Sequence, residues 1–288
     1  MANAPVLAPA KVNLFLHVGP VDTDGYHPLA SLVAFADVGD RISVVPSERL
    51  SLTVTGPFAT GLAGEGDNLV LRAVRSLAEA AALPAPGLAF TLDKRLPIAA
   101  GLGGGSSDAG AALKLAREAL ALSLDDEALS RVAATIGADG PMCLHARAAW
   151  AEGRGDQLTF EPALPPLAAV LINPGVQSPT GAVYRAYDAG SPATADRPAP
   201  PSEWSVPAII DWLAVQRNDL EAPAVILQPA IGQALAAAAA LPGVRLVRMS
   251  GSGATVFALF ENSVAASAAA EHLSEQHPAW WVQSTILS

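Results

Sequence analysis

Pro97-Ile-Ala-Ala-Gly-Leu-Gly-Gly-Gly-Ser-Ser-Asp108, running straight into Ala109-Gly-Ala-Ala-Leu-Lys-Leu-Ala-Arg117, is a glycine-rich loop feeding a helix. Gly101, Gly103, Gly104 and Gly105 carry no Cβ, so successive N–H groups can turn toward one anion. Ser106 or Ser107 is placed to cap the helix, whose unpaired N–H groups and dipole favour the same negative charge. The stretch reads as a cradle for a polyphosphate; taken alone it also fits a plain tight connection. Neither standard nucleotide pattern is met. No Gly-Lys-Ser/Thr ending marks a P-loop, and Ser106 stands where a dinucleotide fingerprint needs its third glycine.

Around this loop, 288 residues are enough for two domains with cores of their own. Hydrophobic residues make up 51% of the chain. No apolar run approaches the roughly 20 residues of a membrane span, so a soluble protein is expected. The start, Met-Ala-Asn-Ala-Pro-Val-Leu-Ala-Pro-Ala-Lys11, lacks the basic opening and long apolar core of a secretory signal. A single cysteine, Cys143, permits no internal disulfide and fits a reducing cytoplasm. The formal charge of −10 argues against a nucleic-acid backbone as partner. Lysine is scarce, with only Lys11, Lys94 and Lys114 among 17 basic residues. Lys11 and Lys94 therefore stand out from generic surface charge.

The alternation of Ala10 to Val18 predicts a strand with Lys11 and Asn13 on one face and Val12 and Leu14 on the other. Asp22-Thr-Asp-Gly-Tyr-His-Pro28 has strong turn chemistry. Short strands are expected over 41–45, 50–55 and 88–92, and helices over 69–82, from the loop to about 122, and over 125–136. Gly137-Ala-Asp-Gly-Pro141 is a sharp turn that presents Asp139, either as a catalytic carboxylate or as an Asx turn bonded to its own backbone. Strands over 148–152 and 157–160 close the first half, and Pro162 to Pro166 marks a boundary. The second half opens with a strand (168–173) and a helix (180–187), followed by a Pro/Ala/Ser-rich stretch from 190 to 207 that reads as a mobile loop. Helices over 209–215, 220–226 and 231–241 then lead to a β-turn-β-α-β ending around Ser250-Gly-Ser-Gly253.

The strand with Lys11, the loop at 97–107 and the late Ser250-Gly-Ser-Gly-Ala254 turn, taken together, resemble the GHMP small-molecule kinases, a superfamily named for galactokinase, homoserine kinase, mevalonate kinase and phosphomevalonate kinase. Ala8-Pro-Ala-Lys-Val-Asn-Leu-Phe-Leu16, Asp24-Gly-Tyr-His27, Gly103-Gly-Gly-Ser-Ser-Asp-Ala109 and Gly137-Ala-Asp-Gly-Pro141 resemble the branch of non-mevalonate isoprenoid biosynthesis. Gly140 departs from that pattern, which has an aliphatic residue before the proline. The resemblance implies an α+β fold of two domains, a ribosomal-protein-S5-like half (1–161) for ATP binding and catalysis and a ferredoxin-like half (162–288) completing the substrate cleft.

It also implies roles. Asp139 would accept the proton of the substrate hydroxyl, with Lys11 keeping it ionised. Pro97, Ile98, Ala99, Ala100, Gly101, Leu102, Gly103, Gly104, Gly105, Ser106 and Ser107 would hold the ATP phosphates, and Lys94 and Asn68 would meet the nucleotide. Mg²⁺ would accompany ATP, with Ser106 or Ser107 as candidate ligand. Asp108 is open between a metal ligand and a charge favoured at a helix start. The acceptor implied is a cytidine diphosphate derivative of methylerythritol: Tyr26 and Tyr184 would sandwich its ring, His27 would read its edge, and Asn13, Thr180 and Gly251 to Gly253 would add weaker contacts. A kinase of homoserine or mevalonate is the alternative, but such an acceptor needs no aromatic stack.

Overall fold

The computed structural model describes residues 4–23, 25–62, 68–190 and 192–288. Asp24 and residues 1–3, quoted above, lie outside the described residues. Two compact units interleave along the chain, one of Met1–Ala10, Val38–Ile98 and Gly103–Ala146, the other of Lys11–Asp37, Ala99–Leu102 and Arg147–Ser288. The long strands β1 (Val6–Val18) and β2 (Leu29–Pro46) contribute to both.

In the first unit, β4 (Leu88–Asp93) pairs antiparallel with Arg41–Pro46 of β2 and parallel with β3 (Ser51–Thr55). Its described residues include the α-helices α1 (Leu69–Ala80), α2 (Gly104–Ala119), α3 (Asp126–Ile136) and α4 (Gly140–His145). Val70, Ala73, Val74 and Leu77 recur on one face of α1 and share a core with Ala109, Ala112, Leu113 and Ala116 of α2. Asn68 caps α1 by accepting the Val70 N–H at 2.9 Å, and Asp125 caps α3 by accepting that of Ala128 at 2.7 Å.

Helix α4 was not expected; Gly140-Pro141 reads as turn punctuation, yet the proline falls in the first turn, where a missing N–H costs nothing. A Cβ on Gly140 would stand 2.0 Å from the Ala133 carbonyl oxygen, so the aliphatic residue of the family pattern cannot fit this backbone. Gly140→Ala should force α3 and α4 apart, costing about 1–3 kcal/mol in a denaturant titration.

In the second unit, Leu29–Val33 of β2 pairs antiparallel with β5 (Ala149–Gly153), and β5 with β6 (Gln157–Phe160). The first half of β2 was also missed, because Ser31-Leu-Val-Ala-Phe-Ala36 shows no alternation. Beyond it come β7 (Leu167–Asn173), α5 (Thr180–Asp188), α6 (Val206–Ala214), α7 (Glu221–Leu227), α8 (Pro229–Ala239), β8 (Leu246–Met249), β9 (Val256–Phe260), α9 (Ser263–Gln276) and β10 (Trp281–Leu287). Strands β10, β7, β9 and β8 lie side by side in that order, all antiparallel. Numbered within this half, the order is 4-1-3-2, a ferredoxin-like sheet. Ala168, Val170 and Ile172 of β7 and Val256, Ala258 and Phe260 of β9 share a core with Ala266, Ala269, Ala270 and Leu273 of α9.

The Pro-rich stretch expected to be a mobile loop is instead a strap fastened along its length. The Asp196 carbonyl meets His17 Nδ1 at 3.0 Å. Arg197 lies 4.2 Å over the Trp150 ring and bonds Glu152 at 3.0 Å. Trp212 Nε1 donates to the Ala199 carbonyl at 2.9 Å. Proline fixes the backbone of such a segment, so few side-chain contacts suffice to hold it.

Candidate active site

Within the first unit the residues around the glycine loop are tied by a buried ion cluster. Lys94, just past β4, places Nζ 2.5 Å from Asp40 on β2 and 2.7 Å from Asp108 on α2, with all three side chains nearly inaccessible. Asp40 also accepts the N–H groups of Arg95 at 2.6 Å and Leu96 at 2.8 Å. The segment before the loop and the helix after it are thereby joined through one ammonium. Two carboxylates share it, and burial pushes the Asp108 carboxyl up to about 7, against the pull of Lys94. Asp108 is thus a buried partner of Lys94 and not an exposed charge at the helix start; among the described residues no group of three metal-ligating side chains occurs.

The expected serine cap is corrected. Gly103, at φ 62°, is the N-cap of α2, and no side chain caps the helix. Ser106 and Ser107 fall inside the first turns, and the buried Ser107 hydroxyl has no hydrogen-bond partner among the described residues. The initial N–H groups of a 16-residue helix are left for an anion. Asn68, 8% exposed, uses its side-chain oxygen to cap α1, and no hydrogen bond from its amide NH₂ occurs among the described residues.

Asp139 sits at the N-cap of α4, half-buried, and its carboxylate makes no capping bond; its carbonyl accepts the Cys143 N–H at 2.9 Å. The Asx-turn alternative is therefore set aside.

Within the second unit, Lys11 is 7% exposed and donates to Asn13 Oδ1 at 2.9 Å. Asn13 Nδ2 donates to Ser31 Oγ at 2.8 Å, and Ser31 donates to the Phe15 carbonyl at 2.6 Å. The relay fixes which end of the Asn13 amide faces Lys11. Ser31 escaped sequence reasoning because only the fold of β1 against β2 brings it there. The backbone N–H of Asn13 reaches Ser250 Oγ at 3.1 Å, and Ser250 in turn donates to the Gly101 carbonyl at 3.0 Å. A Cβ on Gly101 would stand 2.4 Å from the Ser250 carbonyl oxygen, so the late glycine turn is packed directly on Ala99–Leu102.

The turn before β2 and helix α5 gather the expected acceptor residues. His27 and Tyr184 have ring centroids 4.8 Å apart, and Tyr187 lies edge-on to His27 at 6.1 Å. Tyr26 is 54% exposed, with Arg154 lying 4.2 Å over its ring. Thr180 Oγ1 pairs with Ser252 Oγ at 2.9 Å. His27 Nε2 meets Asp188 Oδ1 at 2.6 Å, a partner that no sequence pattern indicated.

Two family patterns match: GHMP kinases N terminal domain over residues 68–147 and GHMP kinases C terminal over residues 206–279. The class is therefore that of the GHMP kinases, ATP-dependent enzymes acting on small molecules. The 4-diphosphocytidyl-2-C-methyl-D-erythritol kinase of Caulobacter vibrioides is 54% identical over 284 residues, 98% of each chain. A crystal structure of 4-(cytidine 5'-diphospho)-2C-methyl-D-erythritol kinase superposes with TM-score 0.79 at 38% identity, over 100% of this chain and 99% of that one. The chain belongs to the 4-diphosphocytidyl-2-C-methyl-D-erythritol kinase family. Homoserine kinase from Cytophaga hutchinsonii shares the fold alone, at TM-score 0.67 and 19% identity over 96% of this chain and 92% of that one. The expected two-domain α+β fold is the one found.

Proposed function

We propose that this protein transfers the γ-phosphoryl group of ATP to the 2-hydroxyl of 4-diphosphocytidyl-2-C-methyl-D-erythritol, in the cytoplasm, as a step toward isoprenoid precursors. The observation that carries the acceptor is the grouping of His27, Tyr184 and Asp188, which suits a flat heterocycle and has no use for homoserine or mevalonate. Phosphoryl transfer asks the protein for positioning, charge and help to the attacking oxygen. The uncapped first turn of α2 receives phosphate oxygens on its N–H groups. Asn68 offers its free NH₂ to the nucleotide. Lys94 acts on the nucleotide through the loop it braces, since its ammonium is engaged by Asp40 and Asp108.

Asp139 takes the acceptor's proton as the oxygen attacks, and Lys11, oriented by Asn13, supplies the positive charge that the developing alkoxide requires. Tyr26 and Tyr184 hold the ring, and Thr180, paired through its hydroxyl with Ser252 Oγ, adds a weaker contact. The orphaned Ser107 hydroxyl fits a ligand for Mg²⁺ arriving with ATP, which would screen the phosphate charge. We assign ATP binding and catalysis to residues 1–161 and part of the acceptor site to 162–288.

ADP release measured with the diphosphocytidyl acceptor, homoserine and mevalonate in parallel tests the reading. ADP formation with the first alone is expected; its absence there overturns it.

A further inference from the structure

We propose that Asp188 is a specificity-determining residue that sets the tautomer of His27 and so makes the acceptor site select cytosine over uracil. The inference rests on the acceptor reading above. The His27 side chain is 9% exposed and Asp188 36%, and the contact is between Nε2 and a carboxylate oxygen at 2.6 Å. An ionised carboxylate only accepts, so Nε2 carries the proton whether or not the ring is charged. In the neutral ring Nδ1 is then a bare lone pair, and among the described residues it has no hydrogen-bond partner.

The ring is held as well as polarised. Tyr184 lies against one side of it, and Tyr187 approaches edge-on. Tyr187 is itself fixed, donating to the Val18 carbonyl and accepting the Ala193 N–H at 2.9 Å. All four side chains but His27 lie on α5, so the helix carries the orienting carboxylate and both aromatic walls.

A fixed acceptor nitrogen discriminates between pyrimidines. Cytosine presents a donor amino group at position 4, whereas the corresponding position of uracil is a carbonyl oxygen. Nδ1 facing that edge gains a hydrogen bond from cytosine and opposes two lone pairs with uracil. A partly buried site then rejects the mismatched base strongly, because its polar atom is left unpaired.

The test uses the full chain, with cytidine 5'-diphosphate and uridine 5'-diphosphate as calorimetric probes. Wild type is expected to bind the cytidine compound at least tenfold more tightly. Asp188→Asn, whose amide can donate to Nε2 and invert the tautomer, should bring the ratio to within about threefold while leaving the KM for ATP unchanged. Asp188→Glu, which still only accepts, should keep most of the preference and shows whether the site survives substitution. The ¹⁵N shifts of His27 should report protonated Nε2 in wild type and in Asp188→Glu. An unchanged ratio in Asp188→Asn overturns this inference and leaves the acceptor reading standing. Failure of wild type to bind either diphosphate, or to prefer the cytidine compound, overturns this inference, and failure to bind either overturns the acceptor reading with it.

Discussion

Asp139→Asn is expected to lower kcat by about 10³-fold with little change in the KM for ATP, because a general base contributes about 10²–10⁴ to the rate and the amide cannot take a proton. The substitution keeps the volume at the N-cap of α4, where the side chain makes no capping bond, so no helix cap is lost. In free-energy terms the loss is about 4 kcal/mol of barrier. Single-turnover measurement of acceptor-dependent ADP formation separates this from slow product release. A variant turning over at near-normal rate would remove the proposed base.

Lys94→Met carries the second large effect, on folding. It leaves Asp40 and Asp108 buried beside each other without their shared cation, and removal of one member of such a cluster costs about 3–5 kcal/mol. The sign of the pH response follows from the carboxyls. Burial raises the Asp108 carboxyl in the folded protein from its ordinary value of 3.8 to about 7, and loss of Lys94 raises it further. The folded variant therefore binds more protons than the unfolded chain above pH 4, so acidification stabilises it relative to the parent. Denaturation midpoints at pH 8 and pH 5.5 should show the deficit shrinking at the lower value; a deficit independent of pH would mean the carboxylates escape to solvent.

Sequence reasoning reached the elements whose signals are local. Asp125 before the periodic run Leu129, Val132, Ala133 signals α3, and the alternation of β1 puts Lys11 and Asn13 on one face, where they bond. It failed where the deciding partner is distant. His27 and Asp188 are 161 positions apart, and Lys94 finds Asp40 54 positions back, so only folding reveals either pair. It failed also where punctuation misleads. Gly140-Pro141 looks like a break and is a helix start, forced by the closeness of Ala133. The serines of the loop were placed one turn too early, because Gly103 in a left-handed conformation caps the helix without a side chain.

The packing of Ser250 on Gly101 spans 149 positions of sequence. Leu102 already meets β1, its carbonyl accepting the Lys11 N–H at 2.8 Å, but the ribosome must have delivered nearly the whole polypeptide before the Gly101 carbonyl finds Ser250. A nascent chain stopped short of Met249 holds every residue of the glycine loop and none of the turn that gives it shape. The fully packed form of the glycine loop is consequently completed late, as one of the last events in the birth of the molecule.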